Sequence, residues 1–503
     1  MIKFLLLSAL LFTTTARAGD WPQWGRTNER NMSSPETGLP DTFDPGKFKL
    51  GSDEIDPATT KNVKWVAKLG SQSFGNVTVA DGKVFVGTNN ASPRDLQYQD
   101  DRGILMCLDE KTGGFQWQLV APKLASGKVN DWEFLGILSS PAVEDGRVYL
   151  VTNRCEVMCL TADGLAKGNT GPFTTEAQYV AGPGKPPGKT GPSDADIVWR
   201  YDMMDELGVF PHNASNCNVL ILGDEIISST SNGMDWTHTN IPSPNAPSLI
   251  ALDKKTGKLL GEDDAGIGPK IFHGIWCSPS AGEVNGKTQV FFGGPDGFLY
   301  AFDPKPAKEG DDLHLKKIWW CDANPDGYRA AKYPAAEGPS EINATPVFWK
   351  NRVYVAIGQD PEHGEGIGNL ICVDPTKTGD ITKTGIVWSY NKIHRSLSTC
   401  AITPDGLLFI GDFSGYLHCL DAETGKVYWV HDLQSHIWGS PLYVDGKIYI
   451  GTEDGTVAVF AASKEEKLIS KIDMGDPVYS TPVVANGTIY VQTTTHLFAI
   501  GAK

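Results

Sequence analysis

The stretch Ser414–Leu433, SGYLHCLDAETGKVYWVHDL, contains a phrase that recurs along the chain. An apolar run ends in Leu-Asp, a Thr-Gly pair follows three and four residues after the aspartate, and a tryptophan comes soon afterwards. Versions of this phrase stand at Gly103–Leu119 (GILMCLDEKTGGFQWQL) and at Pro247–Gly261 (PSLIALDKKTGKLLG). A phrase repeated in this way predicts a fold assembled from copies of one supersecondary unit.

Each copy predicts four antiparallel strands. A short apolar strand follows a small polar pair, an Asp-Gly or Asn-Gly turn leads to a second strand, and the third and fourth strands flank the Thr-Gly turn. Asp-Gly and Asn-Gly between alternating apolar runs favour tight hairpins. Eight first strands align, at the reference residues Val77, Pro141, Cys217, Pro279, Pro346, Cys400, Pro441 and Pro482.

The residue before each reference position is small and polar: Asn76, Ser140, Asn216, Ser278, Thr345, Thr399, Ser440 and Thr481. Eight inner strands that converge on one axis leave room only for such side chains. The last copy ends after its third strand, and Asn62–Leu69, which contains Trp65, supplies the expected fourth. We therefore predict an all-β, eight-bladed β-propeller of four-stranded antiparallel blades over residues 62–503, closed by an N-terminal strand that hides the sheet edges. A solenoid is the alternative, and it would need polar caps.

The start of the chain predicts export. Residues 1–18 contain one lysine before a short apolar run, Phe4–Phe12, and end in an Ala-x-Ala cleavage site. The apolar run is too short to span a bilayer. We expect a signal peptide over 1–18, an N-terminal extension over 19–61, and a periplasmic or secreted chain without a lipid-bearing cysteine after the signal.

The amino-acid composition argues against some classes of binding partner. A formal net charge of −16 gives no basic surface for nucleic acid and is repelled by an anionic bilayer. We therefore expect no nucleic-acid binding, no membrane insertion, and a monomer. No Cys-x-x-Cys occurs among the nine cysteines, which argues against a c-type haem or a thioredoxin-like site. Four cysteines share one repeat position that is alanine in other copies, and we interpret them as core residues: Cys107, Cys159, Cys372 and Cys419.

The pattern of Leu-Asp, Thr-Gly and Trp resembles the tryptophan-docking repeat of the pyrroloquinoline quinone (PQQ)-like eight-bladed propellers. This family includes quinoprotein alcohol dehydrogenases and the outer-membrane assembly propeller lipoprotein. The resemblance covers Asn62–Lys503 and implies the fold, with outer-strand tryptophans that bridge to the neighbouring blade. Because propellers include both enzymes and scaffold proteins, the fold does not identify the function, which has to be inferred from the residues of the site. The predicted docking residues are Trp65, Trp117, Trp199, Trp388 and Trp429.

One face of the predicted propeller carries most of the long insertions, in loops that enter first strands or join second strands to third strands. We call it the loop-rich face. Loops carry function on rigid scaffolds, so this face is the predicted binding site. Its rim residues differ from blade to blade, as a ligand-binding surface requires. The candidate binding residues there are Trp276, Glu341, Asn343, Arg395, Trp438, His212, His273 and His436.

Histidines are frequent at this rim. Four of them stand at the mouths of blades three, four, six and seven: His212, His273, His394 and His436. Such a cluster, with Glu341 and Asn343, is suited to ligate a transition metal or to relay protons. The alternative is a set of hydrogen-bonded funnel residues in which Glu341 pairs with Arg395.

A second candidate metal site lies in the segment DANPDGYRAAKYPAAE. Asp322, Asn324 and Asp326 alternate before a glycine, as in the first half of a calcium loop. The twelfth position is Tyr333 instead of a glutamate, and Glu337 is a candidate for the missing oxygen. The alternative is an ordinary turn rich in Asp and Asn.

The resemblance implies a specific quinone chemistry. Quinoprotein dehydrogenases hold PQQ between an aromatic floor and a disulfide of adjacent cysteines, with Ca²⁺ bound by Glu and Asn oxygens. Here Trp276 or Trp438 matches the floor by residue type, Glu341 and Asn343 match the metal oxygens, and Arg395 matches a carboxylate partner, whereas no two cysteines are adjacent.

We therefore expect an exported binding or scaffold protein whose loop-rich face takes a protein, glycan or small-molecule ligand. The alternative is a quinoprotein-like oxidoreductase, with PQQ and calcium in the propeller funnel, that acts on an alcohol or a sugar. A third alternative is another kind of enzyme that depends on a metal.

Overall fold

The computed structural model describes residues 19–502 apart from 311, 329–332, 334–337 and 365. The predicted signal peptide, 1–18, lies outside the described residues. Eight antiparallel sheets, each built on a four-strand meander, succeed one another along the chain. The predicted all-β, eight-bladed propeller is thereby confirmed.

The blades are numbered here along the chain, and each has four principal strands. Blades 1 and 2 consist of Thr78–Ala80, Lys83–Asn89, Arg102–Asp109 and Phe115–Pro122, and of Ala142–Glu144, Arg147–Val151, Glu156–Thr161 and Ile197–Asp202. Blades 3 and 4 consist of Leu220–Leu222, Glu225–Ser229, Leu249–Asp253 and Leu259–Asp263, and of Ser280–Val284, Lys287–Gly293, Phe298–Phe302 and Lys317–Asp322.

The second half of the ring repeats this plan. Blades 5 and 6 consist of Val347–Trp349, Arg352–Ile357, Asn369–Val373 and Ile386–Tyr390, and of Ala401–Ile402, Leu407–Gly411, Tyr416–Asp421 and Val427–Asp432. Blade 7 consists of Leu442–Val444, Lys447–Gly451, Thr456–Ala461 and Leu468–Asp473. Blade 8 takes Val483–Ala485, Thr488–Gln492 and His496–Ile500 from one end of the chain and Val63–Lys68 from the other, with Trp65 opposite Ala499.

Additional short elements decorate the blades. Ala307–Glu309 and Asp312–Leu315 extend blade 3, Gly379–Asp380 extends blade 4, Ser33–Ser34 extends blade 7, and Lys47–Phe48 pairs with Ile55–Asp56. The helices are Glu176–Ala181 and Met203–Leu207, with 3₁₀ turns at Pro57–Thr59, Gly127–Val129, Gly164–Lys167 and Gly268–Lys270. In the part of the chain that the structure describes, every helix is too short or too polar to cross a membrane.

The repeated Thr-Gly turn receives the tryptophan of the preceding blade. Trp65 of blade 8 donates its indole N–H to the carbonyl of Glu110 in blade 1 at 2.9 Å. Gly113 lies against the same ring, has φ of +69°, and would place a Cβ 2.6 Å from it. Glycine is therefore required both for the left-handed backbone and for the close approach. The same arrangement recurs at Trp199 with Gly257 and at Trp388 with Gly425.

The small polar residues on the axis join one blade to the next. The backbone N–H of Asn76 donates to Oγ of Ser140 at 3.0 Å, and that of Ser440 donates to Oγ1 of Thr481 at 2.8 Å. A side-chain oxygen of the following blade accepts in this way at six of the eight junctions. In blade 3 the column residue is Asn218 and not the predicted Asn216, because the inner strand begins at Leu220, two positions later than the alignment at Cys217 implies. The side chains of the axial column are therefore short, because the axis leaves little room for them. They are polar because they accept hydrogen bonds from backbone N–H groups.

Residues 19–36, called here the N-terminal strap, run along the inner strands at the ends remote from the loop-rich face. The strap hydrogen-bonds to an inner strand or its turn in each of the eight blades. Its partners are Val79, Val143, Ile221, Ala281, Phe348, Ile402, Tyr443 and Asn486. The predicted N-terminal extension thus includes a segment that ties the ring together.

Arg30 anchors the strap. Its guanidinium is fully buried and donates to the carbonyls of Pro279 at 3.1 Å, Val219 at 2.8 Å and Trp24 at 2.6 Å. Burial lowers the pKa of Arg30 to about 10, so the side chain remains charged at neutral pH. One planar cation thereby joins the strap to blades 3 and 4.

Candidate functional site

An axial cavity of 380 Å³ opens between the inner strands. Its lower wall is the polar column, represented by Asn76, Asn218, Ser278, Thr345, Thr399, Ser440 and Thr481. Trp24 of the strap also lines the cavity, and its indole N–H donates to Oγ1 of Thr345 at 3.2 Å. The strap therefore contributes an aromatic side chain to the base of the funnel.

Aromatic side chains form much of the upper wall. Phe74 and Tyr479 stack with ring centroids 4.9 Å apart, and Trp438 lies edge-on to Tyr479 at 5.5 Å. The indole N–H of Trp438 donates to Oε2 of Glu453 at 2.9 Å, which fixes the ring. Trp132 and Trp276 also line the cavity. The funnel combines flat apolar surfaces with a polar base, a combination suited to a planar or ring-shaped ligand.

The rim beside the funnel exposes further aromatic surface. Trp132 and Trp236 lie with ring centroids 6.1 Å apart, and Nζ of Lys128 lies 3.8 Å from the Trp132 ring centroid and 5.0 Å from that of Trp236. Trp236 is 51% exposed and Phe134 is 53% exposed. Such exposed aromatic groups offer contact area to a partner that approaches this face.

The predicted binding residues separate into two layers. Trp276, Asn343 and Trp438 line the funnel. Glu341 and Arg395 are buried, and neither lies on the lining of the cavity. The constellation suggested for a quinone is therefore only partly assembled around one space.

Glu341 is fully buried and bonded to its neighbour. Nδ2 of Asn343 donates to Oε1 of Glu341 at 3.1 Å. Burial and the nearby carboxylate of Asp360 raise the pKa of Glu341 well above its usual range. Arg395 donates from Nη1 to the carbonyls of Asp360 and Gly364.

The structure brings His212 and His273 together with three groups that the sequence did not single out. His238 lies in the blade 3 insertion, and Asp360 and His363 lie in the blade 5 insertion. Nε2 of His212 and Nε2 of His238 are 3.0 Å apart. The His273 ring centroid lies 4.2 Å from that of His212 and 4.9 Å from that of His363. We call His212, His238, His273, Asp360 and His363 the histidine cluster.

Burial sets the charge of this cluster. Loss of solvent lowers the pKa of His212 to about 4 and that of His273 to about 3, so both imidazoles are neutral at pH 7. Burial opposes ionisation of Asp360, but the hydrogen bond from His363 and the proximity of His273 outweigh it, and its pKa lies below the usual value. The cluster thus combines neutral nitrogen ligands with an ionised carboxylate.

The other two predicted rim histidines lie elsewhere. The ring of His394 stacks on Tyr416 at 5.6 Å. The ring of His436 stacks on Phe413 at 4.5 Å, and its Nδ1 lies 2.7 Å from the Phe413 carbonyl oxygen. These packing contacts hold both rings outside the histidine cluster.

In the segment with calcium-like spacing, Asp322 and Asn324 form hydrogen bonds within the protein. Oδ1 of Asp322 accepts the backbone N–H of Asn324 at 2.9 Å. The Asn324 side chain donates to the carbonyl of Ser340 at 2.9 Å and accepts the N–H of Ser340 at 2.7 Å. Asp326 is exposed, and Glu337 lies outside the described residues. Asn324 thus connects this turn to the entry of blade 5.

A ring of eight four-stranded blades, with tryptophan docking at Thr-Gly turns, is a β-propeller of PQQ-like repeats. Residues 382–470 match the family described as "Outer membrane protein assembly factor BamB". This match and the eight-bladed ring support a propeller of PQQ-like repeats that is related to that assembly factor.

Two curated proteins are similar to parts of the chain, one an assembly factor and the other a quinoprotein alcohol dehydrogenase. BamB of Shewanella oneidensis is 35% identical over 75 residues, which is 14% of this chain and 19% of that protein. The quinoprotein alcohol dehydrogenase PedH of Pseudomonas putida is 26% identical over 220 residues, which is 39% of this chain and 33% of PedH. The chain therefore spans about a fifth and a third of the length of these two proteins.

Solved structures extend the likeness in fold to nearly the whole chain. A europium-containing methanol dehydrogenase superposes with a TM-score of 0.62 at 11% sequence identity, covering 97% of this chain and 99% of that one. At this identity the comparison concerns the fold alone.

Proposed function

We propose that the protein is an exported binding protein that holds a small organic ligand in the axial funnel of its loop-rich face. The observation that carries this proposal is the 380 Å³ cavity, whose walls are aromatic and whose base is polar. A volume of about 300–1,000 Å³ suits small-molecule ligands. Stacking on Trp438 and Tyr479 would supply affinity, while the axial hydroxyl and amide groups would fix orientation.

The residues beside the funnel do not fit the quinone site implied by the family. The nine cysteines are all buried and unpaired, and no two are adjacent in the sequence, so no disulfide is available to stack on a quinone. Glu341 is fully buried and does not line the cavity, and Nη1 of Arg395 donates to backbone carbonyls. We therefore derive no reaction step through PQQ.

An oxidoreductase remains the second candidate because of the 220-residue match to a quinoprotein alcohol dehydrogenase. Under this candidate the protein, mixed with PQQ and Ca²⁺, would reduce an artificial electron acceptor when an alcohol or a sugar is added. Under the favoured proposal this mixture shows no turnover, while small aromatic probes still bind.

The proposal is tested by titrating the purified protein with anilinonaphthalene sulfonate and, separately, with PQQ, while recording tryptophan fluorescence. We expect saturable binding of at least one probe, weakened about tenfold or more in Trp438→Ala. Trp236→Ala is the matched control, because Trp236 lies on the same face but does not line the cavity. Failure of both probes to bind, or equal binding by Trp438→Ala, would overturn the proposal in favour of a protein partner at the rim.

A further inference from the structure

The histidine cluster has the construction of a metal centre. Four separate loops supply it: the entry to blade 3 carries His212, the blade 3 insertion carries His238, and the entry to blade 4 carries His273. The blade 5 insertion adds Asp360 and His363. In each of two groups, His212 with His238 and His273, and His273 with Asp360 and His363, the potential ligand atoms all lie within 4.8 Å of one another.

The hydrogen bonds fix the tautomer of His212. Its Nδ1 lies 2.7 Å from the carbonyl oxygen of Met234, which only accepts, so Nδ1 carries the proton. Nε2 of His212 therefore presents a lone pair toward His238. A backbone carbonyl behind the imidazole is the usual support of a metal-ligating histidine, because it orients the ring and raises its basicity.

His363 is oriented in the same manner. Its Nδ1 lies 3.1 Å from Oδ1 of Asp360, so the carboxylate accepts the Nδ1 proton and Nε2 of His363 carries a lone pair. Oδ2 of Asp360 lies 3.8 Å from Nδ1 of His273, beyond hydrogen-bond distance. One carboxylate thereby holds one imidazole and faces another.

His273 is the unexplained member. Its side chain is fully buried, and among the described residues neither ring nitrogen has a hydrogen-bond partner. A buried polar group without a hydrogen-bond partner destabilises the folded protein. Because the imidazole of His273 contacts the other histidines of the cluster, a metal ion bound there could accept the lone pair of its ring nitrogen.

We propose that the histidine cluster binds a first-row transition-metal ion through His212, His238 and His273, with Asp360 and His363 beside the ion. Two ligands bound at about 2.0–2.1 Å, with an angle between square and tetrahedral, lie about 2.9–3.4 Å apart. The 3.0 Å separation of the two Nε2 atoms meets this requirement. Without metal the pair is an N–H···N hydrogen bond, and binding moves the His238 proton to Nδ1.

The ligand set also selects the class of metal. Imidazole nitrogens suit Zn²⁺, Cu²⁺, Co²⁺ and Ni²⁺, whereas Ca²⁺ and Mg²⁺ prefer oxygen ligands. The cluster therefore differs in chemistry from the Glu and Asn oxygens that hold calcium in the family's quinone site. Asp360 belongs to the cluster and also lines the axial funnel, so the bound ion would lie at the wall of the ligand cavity.

The test uses the full chain purified without a polyhistidine tag, stripped with EDTA, loaded with Zn²⁺ and passed through a desalting column. We expect about one equivalent of zinc to remain, measured by inductively coupled plasma mass spectrometry. Co²⁺ should produce visible ligand-field absorption, which reports nitrogen coordination directly. His273→Ala should retain less than about a tenth of the zinc, since His273 belongs to both groups of ligands.

Two further variants keep the result interpretable. His363→Ala changes a half-buried loop residue and should weaken zinc binding about tenfold or more even if His273→Ala fails to fold. His394→Ala is the matched control, because its ring stacks on Tyr416 outside the cluster, and it should retain the zinc. A parent protein that keeps no zinc, or equal zinc in His363→Ala and the parent, would overturn the metal site without bearing on ligand binding in the funnel.

Discussion

The indole N–H of Trp429 in blade 6 donates to the backbone carbonyl of Ser463 in blade 7 at 2.9 Å. The ring is 7% exposed and stacks on Phe460 of blade 7 with centroids 5.7 Å apart. One side chain therefore supplies both a hydrogen bond and an apolar contact across a junction between blades. Trp65, Trp117, Trp199 and Trp388 make the same hydrogen bond to the next blade, so five of the eight junctions contain a docked tryptophan.

Removal of this tryptophan should therefore destabilise the propeller. We expect Trp429→Ala to lower the free energy of unfolding by about 3–5 kcal/mol, the range for truncating a large buried aromatic side chain. Urea unfolding followed by circular dichroism measures the change. Val430→Ala is the control, since Val430 is the next residue and is 40% exposed. A loss below about 1 kcal/mol for Trp429→Ala would contradict the docking role.

The Thr-Gly turn permits a paired test of steric fit. Gly82 and Gly113 have φ of +77° and +69°, but a Cβ on Gly82 meets no atom within 4 Å, whereas one on Gly113 meets Trp65 at 2.6 Å. Gly82→Ala should cost only the left-handed backbone penalty of about 1–2 kcal/mol. Gly113→Ala should cost about 1–3 kcal/mol more, through overpacking. Equal free energies of unfolding for the two variants would show that the Trp65 side chain can move aside without loss of stability.

Substitutions of Arg30 measure how much the strap contributes to the stability of the propeller. Arg30→Ala leaves the buried carbonyls of Val219 and Pro279 without their donor, and we expect a loss of at least about 2 kcal/mol in the free energy of unfolding. Arg30→Lys should recover only part of it, because an ammonium group lacks the planar fork that reaches both acceptors. Arg26→Ala, which changes a half-buried arginine of the same strap, should cost less than about 1 kcal/mol. Stability unchanged in Arg30→Ala would show that the strap is dispensable.

The cysteines give a prediction about pH. Burial raises the pKa of the Cys107 and Cys419 thiols to about 12, so these groups stay protonated up to pH 9. Iodoacetamide reacts with the thiolate, and we expect none of the nine cysteines to be alkylated in the folded protein between pH 7 and 9. All nine should react in guanidinium chloride. Intact-mass analysis counts the adducts, and a disulfide or a native-state adduct would contradict the structure.

The fold was predictable because its determinants repeat. Six of the eight copies have an Asp-Gly or Asn-Gly turn between their first two strands, and the small polar residues near the axis follow from crowding there. The strap was not predictable from the sequence. Its partners are mostly backbone groups of the inner strands, and every residue type has such groups. Arg30 gives no periodic signal, although it is one of the largest fully buried side chains.

The site was predictable only where it belongs to the repeat. His212 and His273 lie in the segments that enter the first strands of blades 3 and 4, and the structure brings them together. His238 and His363 lie in irregular insertions, whose conformation depends on local turns and not on any period. Their approach is visible only in three dimensions, and no spacing rule connects positions 238 and 363.

The strap has a consequence for how the chain folds. Asn486 donates to the side chain of Asp20 across a separation of 466 positions, and Val63–Lys68 completes a sheet with His496–Ile500. Contacts between such distant segments slow folding, because a long loop must close before they yield any stabilisation. During synthesis Val63–Lys68 has no sheet partner until the C-terminal strand His496–Ile500 has been made. An intermediate with seven complete sheets would therefore expose an unpaired strand edge, and its capture by a chaperone would compete directly with ring closure.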